Sequence, residues 1–138
     1  MIVVDTNVLS ELMKPSPAAS VARWIAAHPA QSIYTTSITQ AEILYGILLL
    51  PAGRKRDAIR AAAEAMFSTD FQGRILPFGS GAASIYARIA SGRRRAGRPI
   101  SHHDAQIAAI ASLEKAEVAT RNVADFEDCG IRVIDPWS

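Results

Sequence analysis

The sequence has 138 residues and a mass of 14.8 kDa, with 49% hydrophobic and 20% charged residues. This length predicts one domain spanning residues 1–138, and the composition excludes an intrinsically disordered chain. The net charge of +2 does not by itself indicate a nucleic-acid binder, and the single cysteine, Cys129, excludes both an internal disulfide and a cysteine-ligated zinc site.

The sequence also predicts a cytoplasmic protein with no membrane partner. Its N-terminus has no basic region and only a short apolar run, which excludes a signal peptide. The longest apolar run, Ile43 to Leu50, is far shorter than the roughly 18–20 residues that a membrane span needs.

Predicted strands and helices alternate along the chain. The strands are short β-branched or apolar segments, over residues 2–4, 33–36, 74–77, 118–120 and 131–134. The predicted helices between them run over residues 7–13, 17–27, 37–48, 54–67, 82–91 and 101–111. This alternation predicts an α/β fold with a mainly parallel five-stranded sheet, in which the carboxyl ends of the strands share one edge.

Capping and turn residues set the helix boundaries. Ser37 and Gln40 form a capping-box pattern, and Ser101 begins the last long helix, which is apolar nearly all round and is therefore expected between other layers. Pro17 is expected in the first turn of the second helix. Residues 92–99 are basic and turn-rich, and predict a loop.

Three carboxylates are expected at the ligand-binding edge of the sheet. Asp5 follows the first strand, Glu42 lies in the second turn of the helix after the second strand, and Asp104 lies in the first turn of the last helix. Asn122 and Asp125 follow the fourth strand and reach the same edge. Each acid also has a purely structural interpretation: helix cap for Asp5 and Asp104, solvated helix acid for Glu42.

Three converging carboxylates predict either protonation or a divalent cation. Two unit charges about 4 Å apart repel by roughly 4 kcal/mol at an effective dielectric of 20, and three such pairs rival the stability of a whole domain. Hard oxygen ligands select Mg²⁺, with Mn²⁺ as a substitute. Such a site suits hydrolysis of a phosphodiester by water.

The ordered set of motifs resembles the PIN-domain ribonucleases, and within them the VapC toxins of type II toxin–antitoxin systems, in the FitB-like branch. The resemblance spans residues 1–137. It is carried by Val4-Asp5-Thr6-Asn7-Val8, by residues 38–46, by 97–100 leading to 104–108, by Thr120-Arg121-Asn122 with Asp125-Phe126, and by Asp135-Pro136-Trp137.

The resemblance implies a three-layer α/β/α PIN-domain fold and a Mg²⁺-dependent endoribonuclease. It implies a homodimer that is neutralised by a VapB-type antitoxin and that contacts DNA only through that antitoxin. Asp5 and Asp104 correspond to metal ligands, and Glu42 to a third acid that binds through water or orients the attacking water. The side chains expected to support these acids are Thr6, Asn7, Thr120, Asn122 and Asp125.

Two positions depart from the family pattern, and one of them, Gly79 in place of an aspartate, is given no catalytic meaning. Many relatives have aspartate where this chain has Asn122. Asparagine keeps an oxygen ligand but loses a charge, which is expected to weaken metal binding and to shift the fourth role to Asp125 or to water.

Clustered basic residues predict contacts with the RNA backbone. The expected phosphate-binding side chains precede the Asp104 helix and are Arg93, Arg94, Arg95 and Arg98.

Three other functions are open at this point. His102 and His103 could support a metal-independent nuclease. Asp5 could be the nucleophile of a phosphatase, although Asn7 stands where that chemistry usually has a second acid. A catalytically degenerate module that binds RNA or a partner protein without cleavage would account for Asn122.

Overall fold

A five-stranded, wholly parallel sheet lies at the centre of the computed structural model, which describes residues 1–138. Its strands are β1 (Ile2–Val4), β2 (Ile33–Thr36), β3 (Ile75–Leu76), β4 (Glu117–Ala119) and β5 (Val133–Ile134). They are ordered β3-β2-β1-β4-β5, so that β1 is central, with Val3 opposite Tyr34 of β2 and Val118 of β4.

Six helices cover both faces of the sheet and confirm the three-layer α/β/α architecture. They are α1 (Thr6–Leu12), α2 (Ala19–Ala26), α3 (Ser37–Leu48), α4 (Arg54–Ala65), α5 (Ser80–Arg95) and α6 (His102–Leu113). Ile2 and Val4 of β1 pack into the core beneath α1 to α4, whereas Val3 points to the opposite face and packs with α5 and α6. Both faces of β1 are therefore buried, as its continuous β-branched run predicts.

The longest departure from the predicted elements concerns α5. This helix continues through Gly92 to Arg95, whereas the sequence predicted a loop from residue 92. After the last helical residue, Arg95, Gly97 has a φ of 76°, the left-handed conformation that closes helices and that glycine adopts most easily.

Two helix starts also differ from the prediction. The N-cap of α3 is Thr36, whose hydroxyl accepts from the amide of Thr39, so the prediction that Ser37 caps this helix is wrong by one residue. Pro17 precedes α2 instead of lying in its first turn. The cap of α6 by Ser101 is confirmed, because its hydroxyl accepts from the amide of Asp104 at 3.1 Å.

The topology brings the ends of several elements to one edge of the sheet. Asp5 and Thr120 directly follow β1 and β4, and α3 begins where β2 ends. Because α6 leads back to the start of a parallel strand, its first turn, with Asp104, lies at this same edge. No helix of the structure is long and apolar enough to cross a membrane.

Candidate active site

A polar cavity of about 420 Å³ opens at the carboxyl edge of β1 and β4. All three predicted acids line it: Asp5, Glu42 and Asp104. The convergence of carboxylates from β1, α3 and α6, which are far apart in the sequence, is therefore present in the structure.

Asp5 is the most buried of these acids, with 4% of its surface exposed. One carboxylate oxygen accepts from the amide of Thr6 at 2.8 Å, so Asp5 also caps α1. Burial raises its pKa to about 6, assisted by the nearby charges of Asp104 and Glu42, against hydrogen bonds from Thr120 and Thr6 that lower it. Because burial disfavours the ionised form of Asp5, a cation bound beside it would stabilise that form.

Thr120 and Asn7 fix the orientation of Asp5. The Thr120 hydroxyl donates to Asp5 Oδ2 at 2.8 Å, and the Asn7 amide donates to the same oxygen at 3.2 Å. Asn7 Nδ2 also lies 3.1 Å from the Thr120 oxygen. With the Thr6 amide on Oδ1, these bonds leave one lone pair of the Asp5 carboxylate, on Oδ1, for a ligand.

Thr6 joins Glu42 to this arrangement. Its hydroxyl lies 3.0 Å from Glu42 Oε1 and 3.1 Å from the hydroxyl of the fully buried Thr39. Since Thr6 has one hydroxyl proton, donation to the Glu42 carboxylate leaves Thr39 as the donor to Thr6. Thr6 therefore supports Asp5 through its amide and Glu42 through its hydroxyl.

Asp104 lies in the first turn of α6 and is half-buried. Burial raises its pKa, and the charges of Asp125 and Glu42 raise it further, while Ser101 and His103 act in the opposite direction. Asp125 does not line the cavity and its exposed side chain makes no hydrogen bond within the site, so its supporting role stays a prediction. Asn122 lines the cavity, and its backbone N–H donates to the Thr120 hydroxyl at 3.1 Å.

Two of the four predicted RNA-binding arginines serve the fold instead. Arg93 is buried, and its guanidinium donates to the carbonyl oxygens of Arg98, Asp125 and Glu127 at 2.7–2.9 Å. A guanidinium so occupied is not available to a phosphate, because α5 points it inward. Arg98 forms ion pairs with the side chains of Glu127 and Asp128. Arg94 and Arg95 are exposed.

Neither histidine of α6 lines this cavity. His102 Nδ1 lies 2.6 Å from the hydroxyl of Tyr86, and the two rings stack. His103 lies 3.4 Å from Glu42 Oε2 and lines a separate, more apolar cavity with Ile38 and Tyr45. Their divergent orientations do not form the paired acid and base that a metal-independent nuclease requires.

Five further residues line the cavity without having been predicted for the site: Ser10, Glu11, Lys14, Arg121 and Trp137. Glu11 is buried and accepts from Lys14 at 2.9 Å and from the amide of Ala18 at 2.9 Å, which lowers its pKa. The polar side chains of α1 recur at a spacing of three or four residues, which places them on one face. That periodicity was the signal available for Glu11 and Lys14.

The donor set of the cavity fits a hard divalent cation. As the side chains stand, no three His, Cys, Asp or Glu residues form a complete metal site. Mg²⁺, however, keeps several waters and is usually bound by one or two carboxylates together with substrate phosphates. A buried carboxylate with a free lone pair on Oδ1, two further acids and an open, polar cavity meet that need.

Comparisons with known proteins extend these observations. A family model described as PIN domain matches residues 2–130. A VapC ribonuclease, Y4jK, from Sinorhizobium fredii is 38% identical over 99% of this chain and 98% of its own length. The toxin FitB from Neisseria gonorrhoeae is 37% identical over 99% of each chain. A solved structure of FitAB bound to the IR36 DNA fragment superposes with a TM-score of 0.94 at 37% identity, covering 100% of this chain and 96% of the other.

Proposed function

The chain belongs to the PIN domain family, and we propose that it is the ribonuclease toxin of a type II toxin–antitoxin pair. The observation that carries the proposal is the single cavity shared by Asp5, Glu42 and Asp104. The names of two relatives, a VapC ribonuclease and the toxin FitB, support the same function.

The proposed cofactor is Mg²⁺, with Mn²⁺ as a substitute, and Asp5 and Asp104 are the residues that would hold it. When bound, such an ion supplies a Lewis acid that lowers the pKa of water and offsets charge on the scissile phosphate. Asp5 is suited to ionisation in the presence of a cation, because the burial that raises its pKa also strengthens its attraction for that cation.

Glu42 is the proposed acceptor of the proton from the attacking water. Its Oε1 faces Thr6, so its orientation is set by a hydrogen bond to α1. Thr120 and Asn7 fix the carboxylate of Asp5, and Asn122 extends the polar rim. Arg94 and Arg95 are the exposed basic side chains proposed to contact RNA phosphates near this rim.

The proposed partners are an antitoxin of the VapB type and a second copy of this chain. A protein of 37% identity over nearly the full chain has been solved as FitAB on a DNA fragment, which supports an antitoxin partner and contact with DNA through that partner. An RNA substrate and the free, buried thiol of Cys129 suit action in the cytoplasm.

Cleavage of RNA by purified protein tests the proposal. We expect total RNA to be cut in the presence of Mg²⁺, cutting to stop in EDTA, and Asp5→Asn to lose at least two orders of magnitude in rate. Asp57→Asn, which removes an exposed carboxylate on α4, is the matched control and retains the wild-type rate.

Two results would contradict the proposal. Cleavage that persists in EDTA would exclude the metal, and binding of RNA without cleavage at any Mg²⁺ or Mn²⁺ concentration would indicate the catalytically degenerate module. Co-expression with the neighbouring reading frame provides a cellular test, because growth arrest by this chain should be relieved by its antitoxin and abolished by Asp5→Asn.

A further inference from the structure

The backbone of Arg121 is linked by hydrogen bonds to the residues that orient Asp5. Arg121 directly follows Thr120, whose hydroxyl donates to Asp5. The Arg121 amide donates to Asn7 Oδ1 at 3.2 Å, and Asn7 itself donates to Asp5. The position of this arginine is therefore fixed by the same bonds that orient the buried carboxylate.

The guanidinium of Arg121 is held in place yet keeps its donors free. It lies over the ring of Trp137, with Cζ 5.2 Å from the ring centroid. It makes no ion pair and no side-chain hydrogen bond, and both Arg121 and Trp137 line the cavity of the three acids. The other cation of that cavity, Lys14, is already paired with Glu11.

We propose that Arg121 is a substrate-binding residue whose guanidinium donates hydrogen bonds to a phosphate of the RNA strand next to the scissile bond. This inference rests on the proposed ribonuclease function. A planar guanidinium presents two parallel N–H donors that match the two oxygens of a phosphodiester, and stacking on Trp137 leaves its edge free to do so.

The surrounding charges explain why such a residue is needed here. Four carboxylates line the cavity, those of Asp5, Glu11, Glu42 and Asp104. An approaching RNA strand is repelled by them, so an unpaired cation at the rim lowers the barrier to binding. Charge balance alone is the competing explanation, because Arg121 also lies close enough to Glu11 to lower its pKa.

Kinetics of the intact protein separate the two explanations. For Arg121→Ala we expect the KM for RNA to rise about ten-fold, the effect of one charge-assisted hydrogen bond, with a smaller change in kcat. Arg121→Lys keeps the positive charge but not the planar pair of N–H donors. Its KM for RNA should therefore lie between those of the wild type and Arg121→Ala. Arg132→Ala is the control: this exposed arginine precedes β5 and lines a pocket with Lys115 and Glu117 away from the acids.

Direct binding supplies a readout that does not depend on cleavage. In the Asp5→Asn background, a fluorescein-labelled single-stranded RNA of mixed sequence is titrated at several salt concentrations and followed by anisotropy. Loss of one phosphate contact should reduce the slope of log K against log salt by about 0.7. An unchanged KM and salt slope in Arg121→Ala, with altered thermal stability only, would overturn the inference and favour charge balance. If the wild type binds RNA with the Arg121-dependent slope but never cuts it, the proposed cleavage fails and the phosphate contact stands.

Discussion

Asp5 should make the stability of the metal-free protein fall as the pH rises. Burial raises its pKa from the ordinary 3.8 to about 6 in the folded state. The folded state therefore holds this proton more tightly than the unfolded chain does. The resulting stabilisation is complete below about pH 3.8 and is lost as the pH rises through about 6.

The difference between the folded and unfolded pKa values of Asp5 sets the size of this loss in stability. From 3.8 to about 6, it corresponds to about 3 kcal/mol of unfolding free energy lost between about pH 4 and pH 8. The raised pKa of Asp104 adds a loss of the same sign. Mg²⁺ at one hundred times its dissociation constant would raise the unfolding free energy by about 2.7 kcal/mol, because it binds only the folded state.

Urea denaturation in EDTA across this pH range measures the effect. Asp5→Asn should remove most of the fall in stability with pH, while the exposed control Asp57→Asn keeps it. The remainder reflects Asp104, which acts in the same direction, and Glu11, whose lowered pKa acts in the opposite direction near pH 4. The slope with pH is diagnostic, because asparagine also alters the bonds from Thr6 and Thr120. A wild-type stability that is flat from pH 4 to pH 8, or an unchanged slope in Asp5→Asn, would refute the assignment of a costly buried carboxylate.

Three further substitutions test other parts of the account. Glu42→Gln should slow RNA cleavage by about two orders of magnitude while RNA binding by anisotropy is retained, and an unchanged rate would exclude Glu42 as proton acceptor. Arg93→Ala should lower the unfolding free energy in urea by about 3 kcal/mol, because three carbonyls lose their donor and the buried stem of Arg93 is removed. Arg94→Ala should stay within about 0.5 kcal/mol, and equal effects would contradict the buried role of Arg93. Thr36→Ala should cost about 1 kcal/mol by the same assay and Ser37→Ala much less, since Thr36 caps α3; the reverse order would restore the cap predicted from the sequence.

The parallel sheet and the edge that gathers the acids were predictable from local patterns. β1 has apolar side chains on both faces and is followed at once by Asp5, which is enough to place that carboxylate at the end of a buried strand. The helix from Ser101 is apolar nearly all round, and α6 is indeed packed between the sheet and α5. These features depend on residues that are neighbours in the sequence.

What the sequence did not predict depends on tertiary contacts. Three consecutive arginines after Gly92 are typical of a solvated loop, yet Arg93 completes a helix because the carbonyls of residues 98, 125 and 127 converge on it. Arg121 lies between Thr120 and Asn122, which were predicted to support the acids, whereas no role was predicted for Arg121 itself. Its guanidinium lies over Trp137, so this contact joins a residue that follows β4 to one that follows β5. Neither contact follows from periodicity or from spacing along the chain.

We propose that a divalent cation binds between Asp5 and Asp104 and relieves their repulsion. Anomalous diffraction from crystals soaked in Mn²⁺ tests it most directly. We predict one strong peak in the cavity, at ligating distance from both carboxylates, that disappears in crystals of Asp5→Asn. A cavity without a peak at a Mn²⁺ concentration that supports full RNA cleavage, or a peak bound by neither acid, would contradict the account.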